Sequence, residues 1–190
     1  MYNISMKSET GPSQQSRQEI LLGDLLSKKI KLFDLIEELF TLDQFSSDRK
    51  EALSNVKIVE DHRMQDFVRG ESDEDVCHFF NFASLTHLHV FQILITDGEQ
   101  RAVALEHLEK ANEYAQKINK EEYDDWKNYV AALLAYSRND IESLRKLCDK
   151  IPDKQFEVVN TVSFESENKY KAIVLDLIKK LEENGEPVYN

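Results

Sequence analysis

Glycine and proline are scarce in this chain, 5 and 3 of 190 residues. With so few turn formers the elements between turns must be long, which excludes an architecture of many short strands and favours helices. Only 2 cysteines are present, Cys77 and Cys148, each among apolar neighbours on an expected helix. A disulfide-stapled scaffold is therefore excluded. Buried free thiols and a cytoplasmic setting are the expectation, with a single bridge between the two left open. Positive charge is also in short supply: 24 Lys and Arg stand against 36 Asp and Glu, a formal net charge of −12. Such a field repels phosphate backbones, and the densest basic run, Lys28 to Lys31, fits the solvent face of an apolar-striped helix, so no direct contact with nucleic acid is expected. No apolar run approaches the roughly 18 residues that span a bilayer, and residues 1–19 hold no apolar core of signal-peptide length, so no membrane association is expected. There is no phosphate-cradling glycine loop, no nucleophile elbow and no paired-histidine zinc motif. The sequence gives no reason to expect catalytic residues, a metal or a cofactor.

What is abundant is apolar residues at helical spacing. Hydrophobic residues make up 41% of the chain, an ordinary globular value. A chain of this length can bury roughly 70% of the surface its unfolded form exposes. Residues 1–16 are polar and are expected to form a disordered tail, leaving 17–190 as a single helical domain. A first helix is predicted over Arg17–Phe40, with drift in its stripe around Lys28 to Lys31 that marks a possible break into two. A second is predicted over Arg49–Val68, started by a capping box of Asp48 and Glu51 and ended by a left-handed Gly70. A third, Asp73–Thr96, is capped by Ser72 and is apolar around most of its circumference, the mark of a helix in the middle of the molecule.

The fourth helix places Ala104, Leu108, Ala111, Ala115 and Ile118 along one face, where small residues let another helix approach closely. A fifth carries Tyr123, Trp126, Tyr129, Val130 and Leu134. A sixth, Ile141–Ile151, is ended by Pro152. The segment Phe156–Phe164 is ambiguous between a short helix and an extended stretch. A last helix, Glu167–Asn184, is stopped by Gly185 and Pro187. This makes about seven helices, two successive pairs of them joined by polar turns at Asp97-Gly98-Glu99 and Arg138-Asn139-Asp140.

The run Ala104 to Ala111, preceded by the turn at Asp97, resembles the second helix of a tetratricopeptide repeat, which places alanine, a bulky apolar residue and alanine at that spacing. The resemblance covers residues 85–152. The offset between the two turns exceeds the roughly 34 residues of that family, Gln92 falls where the family has a small residue, and the second pair lacks the alanines. The resemblance implies an all-α fold of antiparallel helix hairpins stacked as a short right-handed array, with the last helix as a cap. It also implies a non-enzymatic scaffold or adaptor whose partner is a protein or peptide. Residues assigned to partner contact are Phe91 and Gln92 on the third helix, Glu121 and Glu122 in the acidic run, and Tyr123 and Tyr136 on the fifth helix, since aromatic side chains are favoured at interfaces. Homodimerisation through the last helix is an open possibility.

Two alternatives rest on other features. The acidity suits an inhibitor or immunity-type protein that occupies a basic site on a toxin or nuclease. Arg101 and His107 match the loose Arg-to-His spacing of HEPN-type helical ribonucleases, in which such a pair polarises a 2′-hydroxyl and a phosphate. The plainer reading makes Arg101 and His107 solvent-facing helix residues. His78, His87 and His89 share the third helix with Cys77, but their spacings do not converge on one metal, so hydrogen-bonded or partly exposed imidazoles are expected.

Overall fold

The computed structural model describes residues 17–45, 49–96, 100–159 and 162–189. Among these are nine α-helices and one two-stranded hairpin: α1 (Arg17–Leu26), α2 (Leu32–Phe45), α3 (Arg49–Val59), α4 (His62–Val68), α5 (Asp73–Ile95), α6 (Arg101–Gln116), α7 (Asp124–Ser137), α8 (Ile141–Lys150), β1 (Lys154–Val159), β2 (Val162–Glu167) and α9 (Lys169–Asn184). The fold is all-α. The expected N-terminal tail, the capping-box residue Asp48 and the turn at Asp97 to Glu99 lie outside the described residues.

The helix count rises from seven to nine because two expected helices are each broken. The first breaks where its stripe drifts: Lys28 adopts a left-handed φ of 58°, and the Lys28 and Lys29 amides donate back to the carbonyls of Leu25 and Asp24. The second breaks at Asp61, whose carboxylate caps α4 by accepting from the Arg63 amide at 2.8 Å. The hydrogen bond from the Arg63 guanidinium holds the Asp61 carboxyl down at about 2. Gly70 is not left-handed, contrary to expectation: the turn after α4 closes through its amide on the Phe67 carbonyl, in a backbone any residue adopts. Elsewhere the caps are as expected. Ser72 accepts from Asp75 at the start of α5, and Gly185 is left-handed after α9, with φ 73°.

Within the ambiguous segment, residues 156–159 and 162–164 are extended. β1 and β2 pair antiparallel, from Lys154 opposite Glu167 to Val159 opposite Val162. The hairpin interrupts the helices, and among the described residues it joins no larger sheet.

Helix α5 is central. Phe79, Phe82 and Ala83 face an apolar cluster built with α1–α4, including Leu22, Leu25, Leu35, Leu39 and Met64. Cys77, Leu88, Phe91 and Leu94 face a larger cluster built with α6–α9. α6 packs most extensively on α5 and also on α7, and all five residues of its predicted stripe are buried. The pairing is antiparallel: Ser84 of α5 donates to the Ala111 carbonyl at 2.8 Å, and one turn further along α5 His87 meets His107, one turn earlier in α6. Trp126 of α7 donates through Nε1 to the same Ser84 hydroxyl at 3.2 Å, so one small side chain ties three helices together.

α8 returns along α7, and α9 packs on both. The Lys171 ammonium is drawn inward and donates to the carbonyls of Cys148 and Ile151 at 2.7 and 2.8 Å. A cation there satisfies the Ile151 carbonyl at the helix end and adds a second donor to the Cys148 carbonyl, which also accepts from the Ile151 amide. Cys77 and Cys148 are buried free thiols. Among the described residues no helix is long and apolar enough to cross a membrane.

Candidate functional site

Antiparallel hairpins alternate direction, so the end of α5, the start of α6, the end of α7 and the end of α9 share one end of the bundle. The start of α7 and the start of α9 share the other. The residues assigned to one groove from sequence are thereby divided: Phe91, Gln92 and Tyr136 lie toward the first end, and Glu121, Glu122 and Tyr123 toward the second. Tyr123 and Tyr136 are separated along α7 by about 20 Å of helix rise.

At the second end an open cleft of about 530 Å³ lies between α5, α7, α9 and the base of the hairpin. Trp126 and Tyr170 line its floor, with Tyr129 packed behind them. Tyr129 and Tyr170 stack with ring centroids 4.8 Å apart, and Trp126 tilts against both, at 5.7 and 5.9 Å. Burial and the neighbouring Tyr170 push the Tyr129 hydroxyl up to about 12. Asn81 and Leu85 of α5, Pro152, Lys154 and Gln155 also line it. The rim is acidic. Glu121 and Glu122 are exposed in a short 3-10 turn before α7. Asp125 accepts from Asn168 Nδ2 at 2.7 Å, and Asn168 caps α9 by accepting from the amides of Tyr170 and Lys171. Tyr123 is half-buried, its hydroxyl 3.4 Å from His78 Nδ1. Three of the six assigned residues, Glu121, Glu122 and Tyr123, thus stand at or beside this cleft.

At the first end, Gln92 is exposed, while Phe91 and Tyr136 are 5% and 1% exposed. The assignment of those two aromatics to an open groove is corrected: the segment after α9 folds back over them, with Tyr189 edge-on to Phe91 and Tyr136 at 6.1 and 5.8 Å.

A third place went unread in the sequence. His87 and His107 face each other Nδ1 to Nδ1 at 3.0 Å. On its other side His87 Nε2 lies 3.1 Å from Glu60 Oε1, which also accepts from the Tyr114 hydroxyl at 3.1 Å. Gln65 Nε2 donates to that hydroxyl at 3.2 Å and to the Val59 carbonyl at 2.6 Å. With the Glu60 oxygen as acceptor, His87 carries its proton on Nε2 and accepts on Nδ1 from His107, which leaves His107 Nε2 as an acceptor. Burial, then the facing His107, hold the His87 imidazole down at about 4. Burial lowers His107 as well and, with Glu60, raises the Tyr114 hydroxyl. The pair opens on a cavity of about 430 Å³ lined by Glu106, Glu109, Lys110 and Glu113. Those carboxylates repel a phosphate group, and among the described residues no three His, Cys, Asp or Glu side chains gather to hold a metal ion.

Arg101 does not join His107. Six residues along α6 is 600° of rotation, 120° short of two turns. Arg101 instead lies over the Tyr189 ring at 5.6 Å, while His107 faces α5. The two residues of the ribonuclease spacing point to different neighbours. No protein family, curated protein or solved structure matches the chain.

Proposed function

We propose that this protein is a non-enzymatic helical docking protein, and that it holds an extended, basic segment of a partner protein in the cleft between α5, α7 and α9. The observation that carries this reading is the pairing of an aromatic floor, Trp126 and Tyr170, with two carboxylates of the lining, Glu122 and Asp125, which with Glu121 beside them outweigh the cation Lys154. Flat rings receive the aliphatic stems of lysine or arginine, and the carboxylates receive their charged heads. The formal net charge of −12 speeds encounter with such a partner through long-range attraction. The antiparallel packing of α5 on α6 and of α7 on α8 supplies a rigid frame for this task, and the two free thiols suit a cytoplasmic setting.

Selection from a random-peptide display library tests the reading, with the Glu122→Lys, Tyr123→Ala double variant as the counter-selection. The expected result is enrichment of lysine- and arginine-containing sequences on the wild-type chain and its loss on the variant. Equal enrichment on both, or enrichment of acidic sequences, overturns it.

A further inference from the structure

The other end of the bundle already holds a peptide, and that peptide is the chain's own. α9 stops at Gly185, whose left-handed backbone turns the chain back toward α7. Asn139, itself left-handed in the turn between α7 and α8, donates to the Gly185 carbonyl at 3.1 Å. Three residues on, a single hydroxyl serves both backbone groups of Val188: Tyr136 Oη donates to the Val188 carbonyl at 3.0 Å and accepts from its amide at 2.6 Å. The next side chain, Tyr189, inserts edge-on between Phe91 and Tyr136, and Arg101 covers it. Main-chain hydrogen bonds that fix register, followed by a side chain that fills an apolar slot, are how extended peptides are held elsewhere.

The fit has one flaw. Tyr189 Oη is buried without a well-formed hydrogen bond: Arg101, lying over the ring at 5.6 Å, draws the hydroxyl's pKa down only against the larger upward push of burial. A buried hydroxyl left unmatched weakens a contact several-fold. A phenylalanine in the same slot keeps both edge-on ring contacts and strands nothing.

We propose that this aromatic end of the bundle is a second docking site, closed in cis by residues 185–189, and that its external ligand is an extended partner segment carrying phenylalanine at the position of Tyr189. The residue before the phenylalanine must offer an N–H to Tyr136, which excludes proline there. Arg101 at the rim disfavours a basic residue in the ligand. The site is therefore distinct in chemistry from the acidic cleft at the opposite end and does not rest on it. A tethered segment competes at an effective concentration on the order of millimolar, so an external peptide gains most when the strap is loosened.

The test uses the whole chain, as wild type and as Val188→Pro, which removes the amide that bonds to Tyr136. Fluorescently labelled Asn-Gly-Glu-Pro-Val-Phe-Asn and its tyrosine counterpart are titrated by anisotropy. The phenylalanine peptide is expected to bind Val188→Pro roughly tenfold tighter than wild type, and about fivefold tighter than the tyrosine peptide. Tyr189→Ala, which empties the slot and leaves every helix intact, serves as an independent release and is expected to behave as Val188→Pro does. Glu122→Lys is expected to leave this binding unchanged. Equal affinity for wild type and both released chains, or a preference for tyrosine, overturns the proposal. Dimerisation of the released chains without peptide uptake assigns the slot to a second copy and overturns it equally.

Discussion

His87 and His107 meet Nδ1 to Nδ1 at 3.0 Å across the α5–α6 hairpin, so at most one of the two facing nitrogens carries a proton. The His87 side chain is 3% exposed, and protonating it puts a second proton into that contact. His107, Glu106, Lys110, Glu113 and Tyr114 of α6 and Glu60 at the end of α3 face the pair. In the unfolded chain His87 titrates near 6.5, and in the folded protein near 4. Between those values the unfolded state binds more protons, so stability rises with pH across this window and is lost as pH falls from 6.5 toward 4. The lost contribution reaches about 3 kcal/mol. Urea unfolding at pH 7 and pH 5 is expected to show a drop in wild-type stability, and His87→Phe is expected to flatten it. Equal slopes for the two chains contradict this.

Ser84 accepts from the Trp126 indole and donates to the Ala111 carbonyl. Ser84→Ala leaves the buried Trp126 indole N–H without its acceptor, at a cost of about 1–3 kcal/mol, while the Ala111 carbonyl keeps its place in the α6 ladder. For a chain of this size each kcal/mol lowers the melting temperature by about 2–4 °C. Trp126 is the chain's 1 tryptophan, so the same variant is expected to shift its emission. A melting temperature within a degree of wild type counts against the three-helix tie.

Lys171 ends α8 from outside by donating to the Cys148 and Ile151 carbonyls. Lys171→Met keeps the apolar stem and removes both bonds. The expected loss is about 1–3 kcal/mol, read by chemical denaturation. Lys179→Met, on the exposed side of the same helix, is expected to change stability by less than about 0.5 kcal/mol.

The helices were legible because their apolar residues recur at 3.6-residue spacing: the α6 stripe from Ala104 to Ile118 needed no other information. The two breaks were harder. Lys28 is left-handed with no glycine to announce it, and Asp61 caps α4 inside a run that otherwise continues the stripe of α3. The hairpin stayed ambiguous because Val158, Val159 and Val162 fit a buried helix turn as well as a strand. The site was legible only in part. Tyr123 stands at the N-cap of α7 and Tyr136 near its end, but sequence does not say that antiparallel neighbours divide its two ends between different surfaces, or that Tyr189 returns to cover one of them. The His87–His107 contact depends on the register between two helices, which no local pattern encodes. The signal that hinted at it was a polar residue, His87, inside the greasiest helix of the chain.

Emission from Trp126, on the floor of the acidic cleft, tests the docking account most directly. Titration with a ten-residue extended peptide rich in lysine and arginine is expected to give a saturable change that weakens with salt, and that is lost in the Glu122→Lys, Tyr123→Ala variant. An unchanged spectrum at saturating peptide, or the same response to a glutamate-rich peptide of equal length, contradicts it.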